Sequence, residues 1–133
     1  MKRFIFLPHT ADIKIRVYGK NIEEIINNSL LALKKFWQPK LIKKKIEKEI
    51  KIESNNQINL LIDFLSEVLS QTYIEKAIFV EFKENFLEEK SLAGKIIGYK
   101  FISLSKDIKA ITYHQAILEK INNKYIFEFI IDI

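Results

Sequence analysis

The sequence predicts an α+β fold in which two helices pack on a largely antiparallel sheet, in the order β-β-α-β-α-β-β-β-β. Three observations lead there. Ile13, Ile15 and Val17 alternate with Lys14, Arg16 and Tyr18, the period of a half-buried strand. Ile22, Ile25, Ile26, Leu30, Leu33 and Trp37 recur at the spacing of one helix face, and Leu61, Phe64, Leu65 and Val68 repeat that signature, with Leu60 flanking the stripe. Beyond this second helix every segment reads as strand.

The chain begins with a short strand over residues 4–7, followed by a corner at Pro8 and His9. The alternating strand comes next and stops at Gly19. Asn21, with Glu24 three residues later, has the form of a capping box and starts the first helix, which must end before Pro39. Residues 41–53 are rich in lysine but place Ile42, Ile46, Ile50 and Ile52 on even positions and Lys43, Lys45, Glu47, Glu49 and Lys51 on odd ones. That is a strand with one wet face. Lys44 and Lys48 fall on its apolar side, as on an edge strand that discourages edge-to-edge pairing. The second helix starts near residues 54–56, where Ser54 and Gln57 have capping-box spacing. Strands follow at 78–86, 92–104, 109–121 and 125–133, with a polar break at Ser105-Lys106-Asp107. Asn122-Asn123 joins the last two, because asparagine tolerates the positive φ of a tight hairpin turn.

The 133 residues are expected to form one domain, 1–133, long enough to bury about two-thirds of the surface of the unfolded chain. No apolar run reaches the roughly 18 residues of a membrane span, and the start of the chain is too short for a signal segment, so no membrane association and a cytoplasmic location are expected. The absence of cysteine removes thiol, disulfide and zinc-thiolate chemistry, and the two histidines, His9 and His114, are too few for a histidine-rich metal site. A metal here would be held by oxygen. The net charge of +5 suits an RNA-associated protein, but Arg3 and Arg16 are the only arginines, which weakens direct phosphate recognition. No Gly-rich phosphate loop, nucleophile elbow or HExxH motif is present.

The candidate chemistry lies at the two ends of the chain. Asp12, Asp132 and the terminal Ile133 offer three hard oxygen groups that strand pairing could bring together, and three anionic groups would repel unless a cation or several lysines held them. Each group also has a plainer reading. Asp132 is on the same face as Glu128 and can simply end a strand in water. Within His9-Thr10-Ala11-Asp12, Thr10 and Asp12 can shape a turn and His9 can pack at the corner. His114 fits a structural histidine. Asp63 and Glu67 lie one turn apart on the second helix, where paired carboxylates either do chemistry or face solvent.

Taken together, His9-Thr10-Ala11-Asp12, a strand ending Tyr18-Gly19 before a capped helix, Leu60-Leu61-Ile62-Asp63-Phe64-Leu65-Ser66-Glu67, Lys109-Ala110-Ile111-Thr112-Tyr113-His114, and terminal Ile131-Asp132-Ile133 resemble the archease family, collinearly over nearly the whole chain. Ile13-Lys14 stands where the family commonly has glycine, and Phe64 where tryptophan is usual; neither is a presumed ligand. The resemblance implies an α+β fold related to a strand-helix-strand-strand module present twice, one copy inserted in the other. It further implies an accessory protein, not itself an enzyme, that activates an RtcB-type RNA ligase in tRNA splicing by promoting ligase guanylylation and multiple turnover, with tRNA met through the ligase. The family's divalent cation site, calcium in known members, falls on Asp12, Asp132 and Ile133, while Lys109, Asp63 and Glu67 match charged positions expected at the ligase interface. Two other readings make different predictions. A small metal-dependent hydrolase or nuclease using Asp12, Asp132 and His114 would turn over alone, and a basic RNA-binding chaperone acting through residues 43–51 and strand aromatics would show steeply salt-dependent RNA affinity.

Overall fold

The computed structural model describes residues 2–9 and 11–133. Its elements are β1 (Phe4–His9), β2 (Asp12–Gly19), α1 (Ile22–Trp37), β3 (Pro39–Glu53), α2 (Gln57–Glu75), β4 (Ala77–Leu87), β5 (Ser91–Leu104), β6 (Ala110–Ile121) and β7 (Lys124–Asp132). The order is the one the sequence predicts. The strands form two sheets, both antiparallel: one runs β1-β2-β7-β6 and the other β3-β5-β4.

Both helices bridge the sheets, α1 packing on β2 and β4 and α2 on β6 and β4. The shared core is built from the faces that the periodicities mark. Ile15 and Val17 of β2, and Phe127, Phe129 and Ile131 of β7, meet Ile25, Ile26, Leu30 and Leu33 of α1 and Leu61, Phe64, Leu65 and Val68 of α2. Phe64 stands edge-on to Phe82 of β4 with ring centroids 5.1 Å apart, a geometry that contributes beyond the buried area.

The helix ends are set by local chemistry. Asn21 accepts the Glu24 N–H at 2.8 Å, satisfying one of the helix's otherwise orphan donors, and the Glu24 carboxylate reaches back to accept the N–H of Lys20 at 3.1 Å. Gln38 closes α1 in the left-handed region, φ 47°, with Pro39 beginning β3 directly after it. In α2 the expected cap is displaced. Asn56, not Ser54, accepts the Asn59 N–H at 2.8 Å, because Ser54 is the wrong distance from the first turn and turns its hydroxyl to Asp63 instead.

Two further expectations are corrected. β1 continues through Pro8 to His9 instead of turning at Pro8; as the outer strand of its sheet it tolerates a residue with no N–H to donate. In β3 the even-odd alternation holds from Ile46 onward, but the register slips between Leu41 and Lys45. Leu41 therefore packs on the core while Ile42 is left exposed. β3 is an edge strand as expected, and its inward Lys48 reaches Glu75 at 3.4 Å. Among the described residues no helix is long and apolar enough to cross a membrane.

Candidate functional site

Ala11, at φ 62°, turns the chain from β1 into β2 and makes Asp12 the first residue of the new strand. Asp12 has His9 beside it on β1 and Asp132 beside it on β7. The two aspartates are thus direct cross-strand partners at one end of a ladder, with Cβ atoms on the order of 5 Å apart. The period-two rule fixes their direction: Ile15 and Val17 are fully buried on the core face, so Asp12, Lys14, Arg16 and Tyr18 point to the opposite face with Glu128, Ile130 and Asp132.

Asp12 is half-buried and Asp132 is exposed. Like charges placed directly opposite each other repel, by roughly 1 kcal/mol in a water-like dielectric and about 3 kcal/mol at an effective value of 20. Further along the same face the ladder is neutralised: Arg16 lies opposite Glu128 and its Nε donates to Glu128 Oε2. That bond, with a smaller contribution from Tyr18, raises the guanidinium above its usual value. The ion pairs among the described residues are Arg16–Glu128, Lys45–Glu47, Lys48–Glu75 and Lys100–Glu75, and none includes Asp132.

The β7 end is held from its other side by β6. Ala110 is the ladder partner of Asp132, and the Lys109 N–H donates to the Asp132 carbonyl at 2.7 Å. Lys109 reaches this position because the loop before it is tied down. The Tyr73 hydroxyl of α2 accepts from Trp37 Nε1 at 3.1 Å and from the Ile108 N–H at 2.9 Å, while the Ser105 N–H donates to the Trp37 carbonyl at 3.0 Å. Asp12, Asp132, Ile133 and Lys109 are therefore brought to one end of the sheet, where β2 and β7 meet.

Asp63 and Glu67 do not join them. Asp63 accepts hydrogen bonds from Ser54 and from Tyr113 of β6, and the bond to Asp63 raises the Tyr113 phenol above its usual value, with burial adding to it. Glu67 accepts from Gln71 Nε2 at 3.1 Å. Asp63 thus latches α2 to the segment of β6 where the register slips between Thr112 and Ile117. His114 lies in that slipped segment and is exposed, not packed as a structural histidine would be. Sequence reasoning missed Ser54 and Tyr113 as partners of Asp63, a contact spanning 50 residues for Tyr113 that no local pattern encodes.

Among the described residues no three Asp, Glu or His side chains gather closely enough to hold a metal. A cation here would depend on the Asp12–Asp132 pair with main-chain or terminal oxygens of Ile133, an all-oxygen donor set of the kind hard divalent ions take. The residues fit such an ion in charge and donor type. The turn reading of Thr10 and the packing of the His9 side chain lie outside the described residues.

The fold and this site define a class: small α+β proteins with two helices bridging two antiparallel sheets, and an aspartate pair where β2 and β7 meet at one end of the sheet. Residues 4–133 match the Archease protein family. The chain is 34% identical over 140 aligned residues, covering all of both chains, to Protein archease of Sulfurisphaera tokodaii. Among solved structures, protein 1598 of Methanobacterium thermoautotrophicum superposes with a TM-score of 0.76 at 24% identity over all of both chains. An archease of Thermotoga maritima does so with a TM-score of 0.73 at 21% identity, over 96% of this chain and 94% of that one. This chain belongs to the archease family.

Proposed function

We propose that this protein activates an RtcB-type RNA ligase in tRNA splicing, promoting guanylylation of the ligase and its multiple turnover, and that it catalyses no reaction alone. The observation that carries the reading is the direct pairing of Asp12 with Asp132 at the end of the β2–β7 ladder, in a chain of this family. Two carboxylates are held side by side on neighbouring strands of one sheet.

Asp12, Asp132 and the oxygens of Ile133 would hold a divalent cation, with calcium the first choice for an all-oxygen donor set. Such an ion supplies charge neutralisation and an ordered set of oxygens. The chain's own residues do the positioning: β2 and β7 fix the carboxylates, and the Lys109 N–H holds the Asp132 carbonyl so that the strand end does not fray. Lys109, exposed beside this site, then meets the ligase, and Asp63 and Glu67 contribute from α2. The carboxylate pair is presented at the ligase's nucleotide site, where phosphoryl and nucleotidyl transfer depend on well-placed charge. The setting is cytoplasmic, and tRNA is met through the ligase.

A hydrolase built on Asp12, Asp132 and His114 lacks the gathering of those three side chains that it needs. The test is RNA ligation by the cognate ligase, with ligase limiting and divalent metals varied, in the presence and absence of this protein. Stimulation of turnovers beyond the first is expected. No stimulation under any metal would overturn the proposal.

A further inference from the structure

A second surface, apart from the aspartate pair, combines aromatic and cationic groups. The outer strand β1 and the C-terminal end of α1 enclose two adjoining cavities of about 390 and 340 Å³ that share Lys35 and Gln38. The first is lined by Phe4, Arg3 and Lys34, the second by Phe6, Phe36 and Lys106. No carboxylate among the described residues lines either one. The phenylalanines form a connected row, with ring centroids 5.6 Å apart for Phe4 and Phe6 and 6.2 Å for Phe6 and Phe36. Lys106 Nζ lies 5.2 Å from the centre of the Phe36 ring, and Phe6 keeps 37% of its surface in solvent.

We infer that this groove binds a short single-stranded nucleic acid. Each cavity pairs phenylalanine with cations, and the pairing repeats across a shared Lys35. That is the recognition unit of a polynucleotide, a base against a ring and a phosphate against a cation, set out for successive nucleotides. Either cavity is of a size that takes one nucleoside. An acidic peptide would use the lysines but has no need for an aromatic in each cavity. A duplex hides its base faces, so the rings would be idle. The lysines at the end of α1 also complement the negative end of the helix dipole, and Lys106 lies over the Phe36 ring, but neither contact accounts for Arg3, contributed to the same groove by another segment. The inference stands independently of the cation site.

The experiment is fluorescence anisotropy of the intact protein with labelled 12-nucleotide oligouridylate and oligodeoxythymidylate, from 50 to 200 mM salt. Saturable binding is expected, with log affinity falling against log salt at a slope of about −2 to −3 if the four cations Arg3, Lys34, Lys35 and Lys106 engage phosphates. Phe6→Leu, which keeps an apolar side chain, should weaken binding about tenfold through lost stacking. Lys35→Gln should reduce the slope by about 0.7, and circular dichroism confirms that each variant is folded. Tighter binding of the ribose strand, or equal binding of both, supports the groove and identifies the sugar it accepts. Absence of saturable binding at 50 mM salt, wild-type behaviour of both variants, or equal affinity for a duplex or an oligoglutamate peptide would overturn it. Asp132→Asn should bind the strands as wild type does, which keeps this result separate from that of the ligase activator.

Discussion

Replacing Asp132 by asparagine should have opposite effects with and without divalent cation. The side chain is exposed and directly opposite half-buried Asp12, so the repulsion it relieves lies towards the lower end of the Coulomb range, about 1 kcal/mol. In chelator, Asp132→Asn is therefore expected to be more stable than wild type by about that amount, which for a chain of 133 residues raises Tm by roughly 3–5 °C. With calcium at about a hundred times its Kd, wild type gains about 2.7 kcal/mol, roughly 8–13 °C in Tm by the same scaling. The variant has lost a charged donor and should gain a small fraction of that. The assay is thermal unfolding by circular dichroism, in chelator and across a calcium titration, with magnesium and manganese in parallel. If Asp132→Asn is less stable than wild type in chelator, the aspartates are held by a cation of the protein itself, for which Lys14 on the same face is placed. If the variant keeps the full calcium shift, the pair is not the binding site. Either result refutes the reasoning.

Three other outcomes follow from the structure. Gly98→Ala should destabilise the three-stranded sheet by about 3 kcal/mol in chemical unfolding, because its Cβ would stand 2.0 Å from the backbone oxygen of Ile78 on β4, which has no flexible end to move aside. Asn27→Ala should cost about 1–3 kcal/mol in the same experiment, since Asn27 Oδ1 accepts the Phe82 N–H at 2.8 Å and ties α1 to β4. The Tyr113 phenol is raised by its bond to Asp63, so the stability from that bond is fully present below the ordinary phenol value and is lost as pH rises through the raised one. Absorbance titration should show one late-ionising tyrosine that reverts towards the usual value in Asp63→Asn.

What could be read from the sequence follows the range of the interactions involved. The core faces of β2, β7 and both helices were legible, because a repeat of two or 3.6 residues reports which side of an element is dry. The Asn21 cap was legible for the same local reason. Ser54 has capping-box spacing to Gln57, yet its hydroxyl goes to Asp63 on the helix while Asn56, two residues on, caps the first turn without a Glu or Gln three residues later to mark it. The slips in β3 and β6 were not legible, since a bulge needs only a mismatch with the partner strand, and that partner is far away in sequence. They decide that Ile42 is exposed and that His114 leaves the ladder. The division of the strands into two sheets depends on which strands pair, something alternation within a strand cannot express. At the candidate site, residue chemistry identified Asp12 and Asp132 as groups worth joining. Their direct opposition is a property of register, and the same register leaves Asp63 and Glu67 on a separate helix with partners of their own.

The most direct test of the central claim is guanylylation of the cognate RtcB-type ligase, followed with radiolabelled GTP under a fixed divalent metal. Wild-type protein, Asp12→Ala and Asp132→Ala should be compared after each variant is shown to be folded. Stimulation by wild type that is lost in both variants is the predicted result; stimulation retained in either would contradict the claim.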